Sequence, residues 1–515
     1  FVPAPPRHTP LLFSYPCSRS DTMFRKALVA TLGAAVVELG NAGWDYTVRT
    51  MDQRRTVNEC LEVAEIGDFD LSTESASWTF PSPEVSQAES TITTATAISI
   101  KYGSAFKVVT NSHSKEQYVL TQCGVNAPTD LSVNSVEALP ANYTRKHFTI
   151  PLQKAIVTST TMLGFVDALG LQERMMAVSA YSVAPCWQQA RTACNSTLEE
   201  YGNATLEGMQ KDAADGVFMD CSASGCPADK PNAIDFFVTV DPGNLHQAEY
   251  IKYMAAFFNK ETEANQIFAD KLQAYTSMAA YANKPVVAWI SFEAGNQWNG
   301  NEDKFILSRT AYKLQYVTDA GFSNPDVAAI KAAVPKFRET PTHLELWVSD
   351  FGNSKADASA AFFGALNTAY AVIDEFYAPE PVSYTIDTFY SNYGLTSSSN
   401  LPFIADQRVL RIDSHLSEDN NLDWYEGRVA NPEQALQGLR RALTGDNSMT
   451  KRFFRNVAAG ETPIVMLKSE CTTATALPMC ADVLSTPILH ADISAISAAW
   501  APGCVTALLL SAFVL

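Results

Sequence analysis

Short apolar segments alternate with segments of helical periodicity along most of the chain. KAIVTS, RMMAVS, PVVAWISF, YAVIDEF and RVLRID have the length and apolar content of buried strands. Between them, apolar residues recur at the three- and four-residue spacing of amphipathic helices. From Pro151 onward, this alternation predicts α/β layers with parallel strands.

The preceding part of the chain, residues 45–150, has a different pattern. It is rich in Ser, Thr and Val, and its polar and apolar residues alternate as in half-buried strands. Val108 and the run Tyr118 to Leu120 flank the polar sequence TNSHSKE, which is typical of a β-hairpin. We expect a small β-rich N-terminal region here.

One helical segment is longer than the others. Apolar residues keep helical spacing from Leu245 to Ala282, and Asn244 is placed to cap the start of the helix. The alternative is two shorter helices broken around FFNKET. The pattern predicts two Rossmann-like α/β lobes, at 151–244 and 283–490, joined by one long helix at 245–282.

Both ends of the chain carry apolar segments. From Met23, MFRKALVATLGAAVVELGNAG has the basic, apolar and small-residue order of a signal peptide, so we assign 1–44 to a leader, with a buried helix as the alternative. The tail at 491–515 ends in VTALLLSAFVL, too short to span a bilayer but typical of a cleaved GPI signal or of an apolar terminus. We expect a secreted or cell-surface protein whose contact with a membrane is a lipid anchor.

The cysteines and sequons fit export. With Cys17 and Cys504 set aside, eight of the ten cysteines remain, and their spacing predicts disulfides. A zinc site is disfavoured because the sequence contains no CxxC pair. The predicted pairs are Cys186 with Cys194, Cys221 with Cys226, Cys471 with Cys480, and Cys60 with Cys123. The candidate glycosylation sites are Asn142, Asn195 and Asn203.

Charge and motifs exclude several functions. The 37 basic against 55 acidic residues give a net charge of −18, which disfavours a nucleic-acid partner. The sequence contains no GxSxG, HExxH, GxGxxG or P-loop motif, and its seven histidines are scattered. We therefore expect a non-enzymatic protein without a cofactor.

Aromatic residues follow several predicted strands. Tyr181 and Trp187 follow RMMAVS, and others lie in or after PVVAWISF, YAVIDEF and NNLD. Each is compatible with a core position, but their repetition at strand ends predicts an aromatic-lined cleft for a small ligand. Arg411 is a candidate donor to an anionic ligand.

In order along the chain, several of these segments resemble class III periplasmic binding proteins, the helical-backbone group that serves ferric siderophores, haem, cobalamin and metal ions. LGLQERMMAVS resembles the LGLxDR helix end and following strand of that family, and FFNKETEANQIFADKLQAY resembles its long helix. KPVVAWISF with AYKLQYVTDAGF, and RVANPEQALQGLRRAL, resemble its second-lobe strand and closing helix. The resemblance covers Pro151 to Leu443. The chain lacks the lipobox cysteine of bacterial members, so an ABC permease is not assigned and the transport partner is left open.

The resemblance implies a ligand held between two lobes at strand C-terminal ends, with the turn Thr158 to Thr161 facing it. The expected ligand-binding residues are Thr160, Thr161, Tyr181, Trp187, Trp289, Phe292, Trp298, Glu375, Tyr377, Arg411 and Trp424.

Three functions follow from these patterns. The first is extracellular capture of a small ligand for uptake, with a ferric siderophore or related iron complex as the expected ligand. The second is a metal-ion receptor with oxygen ligands from Asp374, Glu375 and Asp423, and with His415. The third is a secreted hydrolase using Asp374 and Glu375, which is disfavoured because adjacent strand residues point to opposite faces.

Overall fold

A computed structural model describes residues 89–102, 106–123, 139–194, 197–198, 208, 211–278, 284–297 and 299–471. All of them belong to one compact unit, Met51–Leu515. The predicted signal peptide and C-terminal tail lie outside the described residues, as do Cys60, Trp298, Cys480, Asn195, Asn203 and the side chain of Cys194. The fold is α/β, as predicted.

The first lobe contains a mostly antiparallel sheet and a parallel sheet. Its strands are β1 (Ile98–Tyr102), β2 (Phe106–Asn111), β3 (Glu116–Gln122), β4 (Thr144–Ile150), β5 (Ala155–Val157), β6 (Val178–Ser179), β7 (Thr197–Leu198), β8 (Gly216–Met219) and β9 (Ala233–Asp235). The order β1-β2-β3-β4 has antiparallel neighbours except for parallel β3 and β4, while β5-β8-β9 and the pair β6-β7 are parallel. In the predicted hairpin, which is confirmed, Val109 of β2 lies opposite Tyr118 of β3.

The second lobe is built around a seven-stranded sheet of order β12-β13-β11-β10-β14-β15-β17. The strands of this lobe are β10 (Val287–Glu293), β11 (Lys304–Ser308), β12 (Arg338–Glu339), β13 (His343–Trp347), β14 (Ala371–Asp374), β15 (Val409–Arg411), β16 (His415–Leu416), β17 (Arg455–Asn456) and β18 (Ile464–Val465). The predicted segments form the parallel centre, β10-β14-β15, in which Trp289 pairs with Ile373. The antiparallel flanks were not predicted. A separate parallel pair joins β16 and β18.

The helices are short. They are α1 (Leu163–Ala168), α2 (Pro185–Cys194), α3 (Asn244–Ala248), α4 (Tyr250–Ala256), α5 (Glu261–Thr276), α6 (Ala311–Asp319), α7 (Val327–Ala333), α8 (Lys355–Ala365), α9 (Ile386–Tyr393), α10 (Pro402–Ala405), α11 (Asp423–Glu426) and α12 (Pro432–Thr444). Local sequence sets several ends: Thr385 and Thr388 form a capping box at α9, and Gly445 takes a positive φ after α12. Within the described ranges, no helix is both long and apolar enough to cross a membrane.

The linking segment is three consecutive helices, α3, α4 and α5, so the prediction of one continuous helix at 245–282 is wrong. One break falls around FFNKET, where Asn259 has a φ of 54°, so the break of the alternative is confirmed, although the segment forms three helices rather than two. Lys107 of β2 donates to the Ala256 carbonyl at 2.9 Å and to Asn259 Oδ1 at 2.7 Å. The sheet thus binds the end of α4 and stabilises the turn that stops it. Gly243, rather than Asn244, occupies the cap position of α3.

The β-rich N-terminal sheet, β1 to β4, shares one hydrophobic core with the rest of the first lobe. Tyr118 and Phe148 of the N-terminal sheet contact Phe257 at ring-centroid distances of 5.8 and 5.7 Å. Phe218 of β8 reaches the same ring at 5.3 Å. Each such buried ring stabilises the fold by roughly 1.5–3 kcal/mol, so the sheet is fixed to the lobe by packing.

The second-lobe sheet is covered on both faces. In β10, Ala288, Ile290 and Phe292 pack into a core on one face, whereas Val287 and Trp289 pack into a core on the other. Strands buried on both faces read as continuous apolar runs, which is why PVVAWISF showed no alternation.

Two of the predicted disulfide pairings are wrong and one is confirmed. Cys221 bonds Cys226, as predicted. Cys186, however, bonds Cys471 across 285 residues instead of Cys194, and Cys471 is therefore not bonded to Cys480. The chain after the second lobe returns to α2, so Cys186 bonds the cysteine that is close in space rather than the one that is close in sequence. Cys123 is also disulfide-bonded, and its pairing with Cys60 stays a prediction.

Candidate functional site

The hydroxyl-rich turn lies at the C-terminal end of β5, where the sequence placed it. Its first residue, Thr158, donates its backbone N–H to the Phe218 carbonyl at 3.0 Å. Ser159 lies at the cap position of the 3₁₀ turn Thr160–Met162, and Met162 lies at the cap position of helix α1. Neither side chain makes a capping hydrogen bond. Among the described residues, none of the hydroxyls from Thr158 to Thr161 has a hydrogen-bond partner, and all four residues are half-buried. Helix capping therefore does not account for these hydroxyls.

The second lobe meets this turn directly. Helix α11 packs against the turn Thr160–Met162. A Cβ atom at Gly164 would lie 2.9 Å from the Ala430 Cβ and 3.2 Å from the Glu426 carbonyl, so only glycine allows this approach. The turn thus lies at the contact between the lobes, beside α11.

Tyr425 of α11 is a candidate ligand contact that the sequence interpretation missed. Successive helix residues rotate by about 100°, so Trp424 enters the core while 38% of Tyr425 is exposed. Burial of its phenol end, and then the Glu375 carboxylate and Tyr312, raise the pKa of Tyr425. The phenol is therefore protonated at neutral pH and can donate a hydrogen bond.

Glu375 follows β14, as predicted, but its charge is balanced. Lys313 of α6 lies 2.6 Å from the Glu375 carboxylate, and both side chains are largely buried. Burial lowers the pKa of Lys313, but Glu375 and Tyr312 raise it by more, so its net pKa is above the usual value. The pair presents both a cation and an anion next to Tyr425.

Exposed large apolar side chains concentrate around the contact between the lobes. Of the eight in the described ranges, six lie on segments bordering this contact: Tyr181, Tyr377, Val382, Tyr425, Ile464 and Leu467. Tyr377 is the most exposed, at 58%. Hydrogen bonds join these segments, for example from Asn420 to Glu380 at 2.9 Å and from the Lys468 N–H to Glu418 at 3.0 Å. Clustered exposed apolar groups commonly mark binding surfaces.

Four of the predicted ligand-facing aromatics are core residues instead. Trp187, Trp289, Phe292 and Trp424 are all buried. The Trp289 and Trp424 rings lie 5.8 Å apart, and Trp424 contacts Phe454 at 5.1 Å. Both faces of the second-lobe sheet are covered, so residues along β10 face one core or the other rather than solvent. The core alternative for these rings is thus confirmed.

Arg411 is also an internal residue rather than a surface donor. Its guanidinium lies 2.6 Å from Asp374 and 2.7 Å from Asp413, and it stacks 3.7 Å from the Tyr384 ring centroid. Burial lowers the pKa of Arg411, but Asp413 and Asp374 raise it by more, so the side chain is a permanent cation bonded to two carboxylates. The prediction that Arg411 meets an anionic ligand is wrong for this conformation.

The carboxylates proposed for a metal ion or for hydrolysis do not converge. Asp374 accepts from the hydroxyls of Tyr384 and Tyr393, each at 2.7 Å, on the side away from Lys313 and Glu375. Asp423 forms a bidentate pair with Arg452, at 2.6 and 3.0 Å. Across the described ranges, no group of three or more His, Cys, Asp and Glu side chains could hold a metal ion.

A separate cavity of about 480 Å³ opens at the other end of the first-lobe sheet. It borders the starts of β8 and β9, at Asp215 and Asn232, and the ends of β3 and β4, at Cys123 and Thr149. The Asp215 carboxylate already accepts from the N–H groups of Gln153 and Lys154. We therefore place the candidate site at the contact between the lobes.

No protein-family model matches the sequence, and no curated protein sequence matches it. Solved structures similar to it include a periplasmic binding protein from Veillonella parvula, with a TM-score of 0.40 and 13% identity over 57% of this chain and 91% of that one. They also include the periplasmic heme binding protein HutB of Vibrio cholerae, with a TM-score of 0.39 and 12% identity over 57% and 99% of the two chains. An ABC-type Fe3+-hydroxamate transport system from Saccharomonospora viridis has a TM-score of 0.36 and 14% identity over 57% and 94%. The ligands in these names are those of the neighbouring proteins.

Proposed function

We propose that this protein binds a small organic ligand at the contact between its two lobes and releases it unchanged. The observation that carries the proposal is the turn from Thr158 to Thr161, whose four hydroxyls have no hydrogen-bond partner among the described residues. Side-chain hydroxyls that stabilise neither a helix end nor a neighbouring loop are available to a ligand. Their position at a strand C-terminal end is where α/β sheets bind ligands.

The chemistry around the turn suits an oxygen-rich ligand with an apolar shell. The threonine hydroxyls can donate to ligand oxygens, and the exposed part of the Tyr425 side chain can contact the ligand beside them. The exposed rings of Tyr181 and Tyr377 can cover apolar parts of the same molecule. A ferric siderophore or related iron complex combines these features, and the sequence resemblance described above favours it over other ligands.

The arrangement of charges supports binding rather than hydrolysis. A hydrolase of the predicted type needs two carboxylates that face one substrate. Here Asp374 is bonded to Arg411 and two tyrosines, and Glu375 is paired with Lys313. Nothing in the described site favours the metal-ion receptor, since Asp423 is paired with Arg452.

We also place the protein outside the cell, secreted or held by a lipid anchor, with a role in ligand uptake. The bonds Cys186–Cys471 and Cys221–Cys226 support an oxidising compartment. Asn142 of the first sequon lies exposed before β4, where a glycan could be attached.

The test is direct titration of the purified full chain with ferric hydroxamates, haem and cobalamin, followed by calorimetry and tryptophan fluorescence. We expect one class of ligand to bind, and the variant Thr160→Val/Thr161→Val to weaken binding by roughly 5–100-fold, at about 0.5–1.5 kcal/mol per hydrogen bond. Thr276→Val, at an exposed position on α5, is the matched control and should bind as the wild type does. Absence of binding across the panel, or equal affinity in the double variant, would refute the proposal.

A further inference from the structure

Helix α2 of the first lobe is held by the segment that follows β18. The Cys186–Cys471 disulfide joins the start of α2 to the segment after β18. The 3₁₀ turn Lys468–Glu470 packs on the same helix. Besides the chain passing from α5 to β10, this is a covalent connection between the two lobes.

A single buried side chain of α2 adds hydrogen bonds to this segment and to Glu418, which follows β16. The Gln188 amide group donates to the Val183 carbonyl at 2.6 Å and to the Met466 carbonyl at 2.9 Å. Its carbonyl oxygen accepts from the Glu418 N–H at 3.0 Å. Gln188 is 1% exposed, so these bonds form away from water and fix α2 relative to Met466 and Glu418.

Glu426 binds the chain immediately before α2. Its carboxylate accepts from the N–H groups of Val183, at 2.5 Å, and Ala184, at 2.7 Å. Nearby, Arg191 of α2 donates to Asp419 and to the carbonyl of Ala180. Both ends of the loop 180–184 are therefore bonded to second-lobe residues or to α2.

This loop and helix α11 carry two of the exposed tyrosines of the candidate site. Tyr181 lies in the loop, and Tyr425 precedes Glu426 in α11. The bonds of Glu426, Gln188 and the Cys186–Cys471 disulfide thus connect the loop that carries Tyr181 to second-lobe segments, including the helix that carries Tyr425. We call these three features the α2 clamp.

We propose that the α2 clamp positions the Tyr181 loop against α11, so that reduction of Cys186–Cys471 loosens the candidate site. Reduction by a dithiol transfers two electrons and two protons to the disulfide, giving thiols at Cys186 and Cys471 while the dithiol becomes a cyclic disulfide. Gln188 and Glu426 act as positioning residues, since they hold the loop rather than the ligand. The effect on ligand affinity rests on the proposed function, whereas the effect on the loop does not.

Amide hydrogen exchange of the full chain tests the loop, with and without dithiothreitol. Reduction of the wild type should speed exchange at Val183 and Ala184 at least tenfold and leave the β10 and β14 amides protected. Cys186→Ser/Cys471→Ser should exchange rapidly without reductant. Cys221→Ser/Cys226→Ser, which opens the Cys221–Cys226 disulfide, is the matched control and should respond to reductant as the wild type does.

Gln188→Met keeps the disulfide and removes the hydrogen bonds of the Gln188 side-chain amide. It tests the clamp independently if the double cysteine variant folds poorly. It should raise exchange at Val183 and Ala184 by a smaller factor than reduction does. Unchanged exchange at these amides in both the reduced wild type and Gln188→Met would overturn the clamp.

Ligand binding separates this inference from the proposed function. If a ligand binds, reduction should weaken its affinity about tenfold, and an unchanged affinity with faster loop exchange would contradict the positioning of the site. If nothing in the ligand panel binds, the proposed function fails, while the exchange data still decide the clamp.

Discussion

Two buried glutamates of this protein have opposite electrostatics. Glu249, between α3 and α4, accepts from the backbone N–H groups of Thr93, Thr94 and Ala95 at 2.6–2.8 Å and from Lys252 at 2.6 Å. Glu426 accepts two backbone N–H bonds at the contact between the lobes and, within the described ranges, forms no ion pair. One carboxylate is fully satisfied inside a lobe, and the other is only partly satisfied between lobes.

The pKa values follow from these partners. Burial alone raises the pKa of Glu249. The hydrogen bonds from Lys252 and from the N–H groups of Ala95, Thr94 and Thr93 lower it by more, so its net pKa is about 2. Burial dominates at Glu426 and raises its pKa to about 8, although the Ala184 and Val183 N–H groups lower it. The difference teaches that the partners of a buried carboxylate decide its charge: Glu249 is held as a permanent anion, whereas Glu426, at the contact between the lobes, titrates near neutral pH.

The largest expected effect is at Glu249. Glu249→Gln removes the partner of a buried lysine and leaves backbone donors with a weaker acceptor, so it should destabilise the protein by about 3–5 kcal/mol. Urea unfolding at pH 7 measures this loss. Glu263→Gln, which breaks the exposed ion pair with Lys260, is the matched control and should lower the unfolding free energy by less than about 0.5 kcal/mol. Similar costs for the two variants would mean that the Glu249 network does not stabilise the lobe.

Acid should remove the same contribution in the wild type. Because the folded pKa of Glu249 lies below the unfolded value of 4.5, its stabilisation is present above pH 4.5 and is lost as the pH falls toward 2.

A pH effect of the opposite sign is expected at Glu426. Its folded pKa lies above the unfolded value of 4.5, so the folded state binds more protons between pH 4.5 and about 8. Its contribution to stability is therefore largest below pH 4.5 and is lost as the pH rises through 8, by up to about 1.4 kcal/mol per pH unit.

Glu426→Gln removes this titration, so the stability of the wild type relative to the variant should fall between pH 5 and 8. Asp423 and Asp167 also raise the pKa of Glu426, and the charge of Glu426 in turn raises the pKa of Arg452. Comparing the two proteins at each pH isolates Glu426 from these neighbours. Parallel unfolding free energies for the two proteins from pH 5 to 8 would show that Glu426 keeps one protonation state.

The smallest stability effect is expected at the hydroxyl turn. Thr160→Val/Thr161→Val removes hydroxyls that bond nothing in the described protein, so unfolding free energy should change by less than about 0.5 kcal/mol. A loss above about 1.5 kcal/mol would indicate that the hydroxyls are structural, and would weaken the case for a ligand site.

Much of the fold was predictable because its signals are local. The parallel strands β5, β10, β14 and β15 coincide with short apolar runs, and the hairpin of β2 and β3 with a polar turn between alternating residues. The end of α1 was predictable from Gly170, which has a φ of 65°. The break after α4 was not, because Lys107, far away in sequence, binds the end of that helix.

At the candidate site, the sequence correctly placed the Thr158 to Thr161 turn at a strand end, and it selected Tyr181 and Tyr377, which are exposed. It determined these positions because strand ends and turn chemistry depend on neighbouring residues. Only the tertiary structure decided that Trp289, Trp424 and Arg411 are internal and that Tyr425 is exposed, since burial depends on which faces the sheets cover. The tertiary structure likewise paired Cys186 with Cys471, because a disulfide depends on distance in space rather than along the chain.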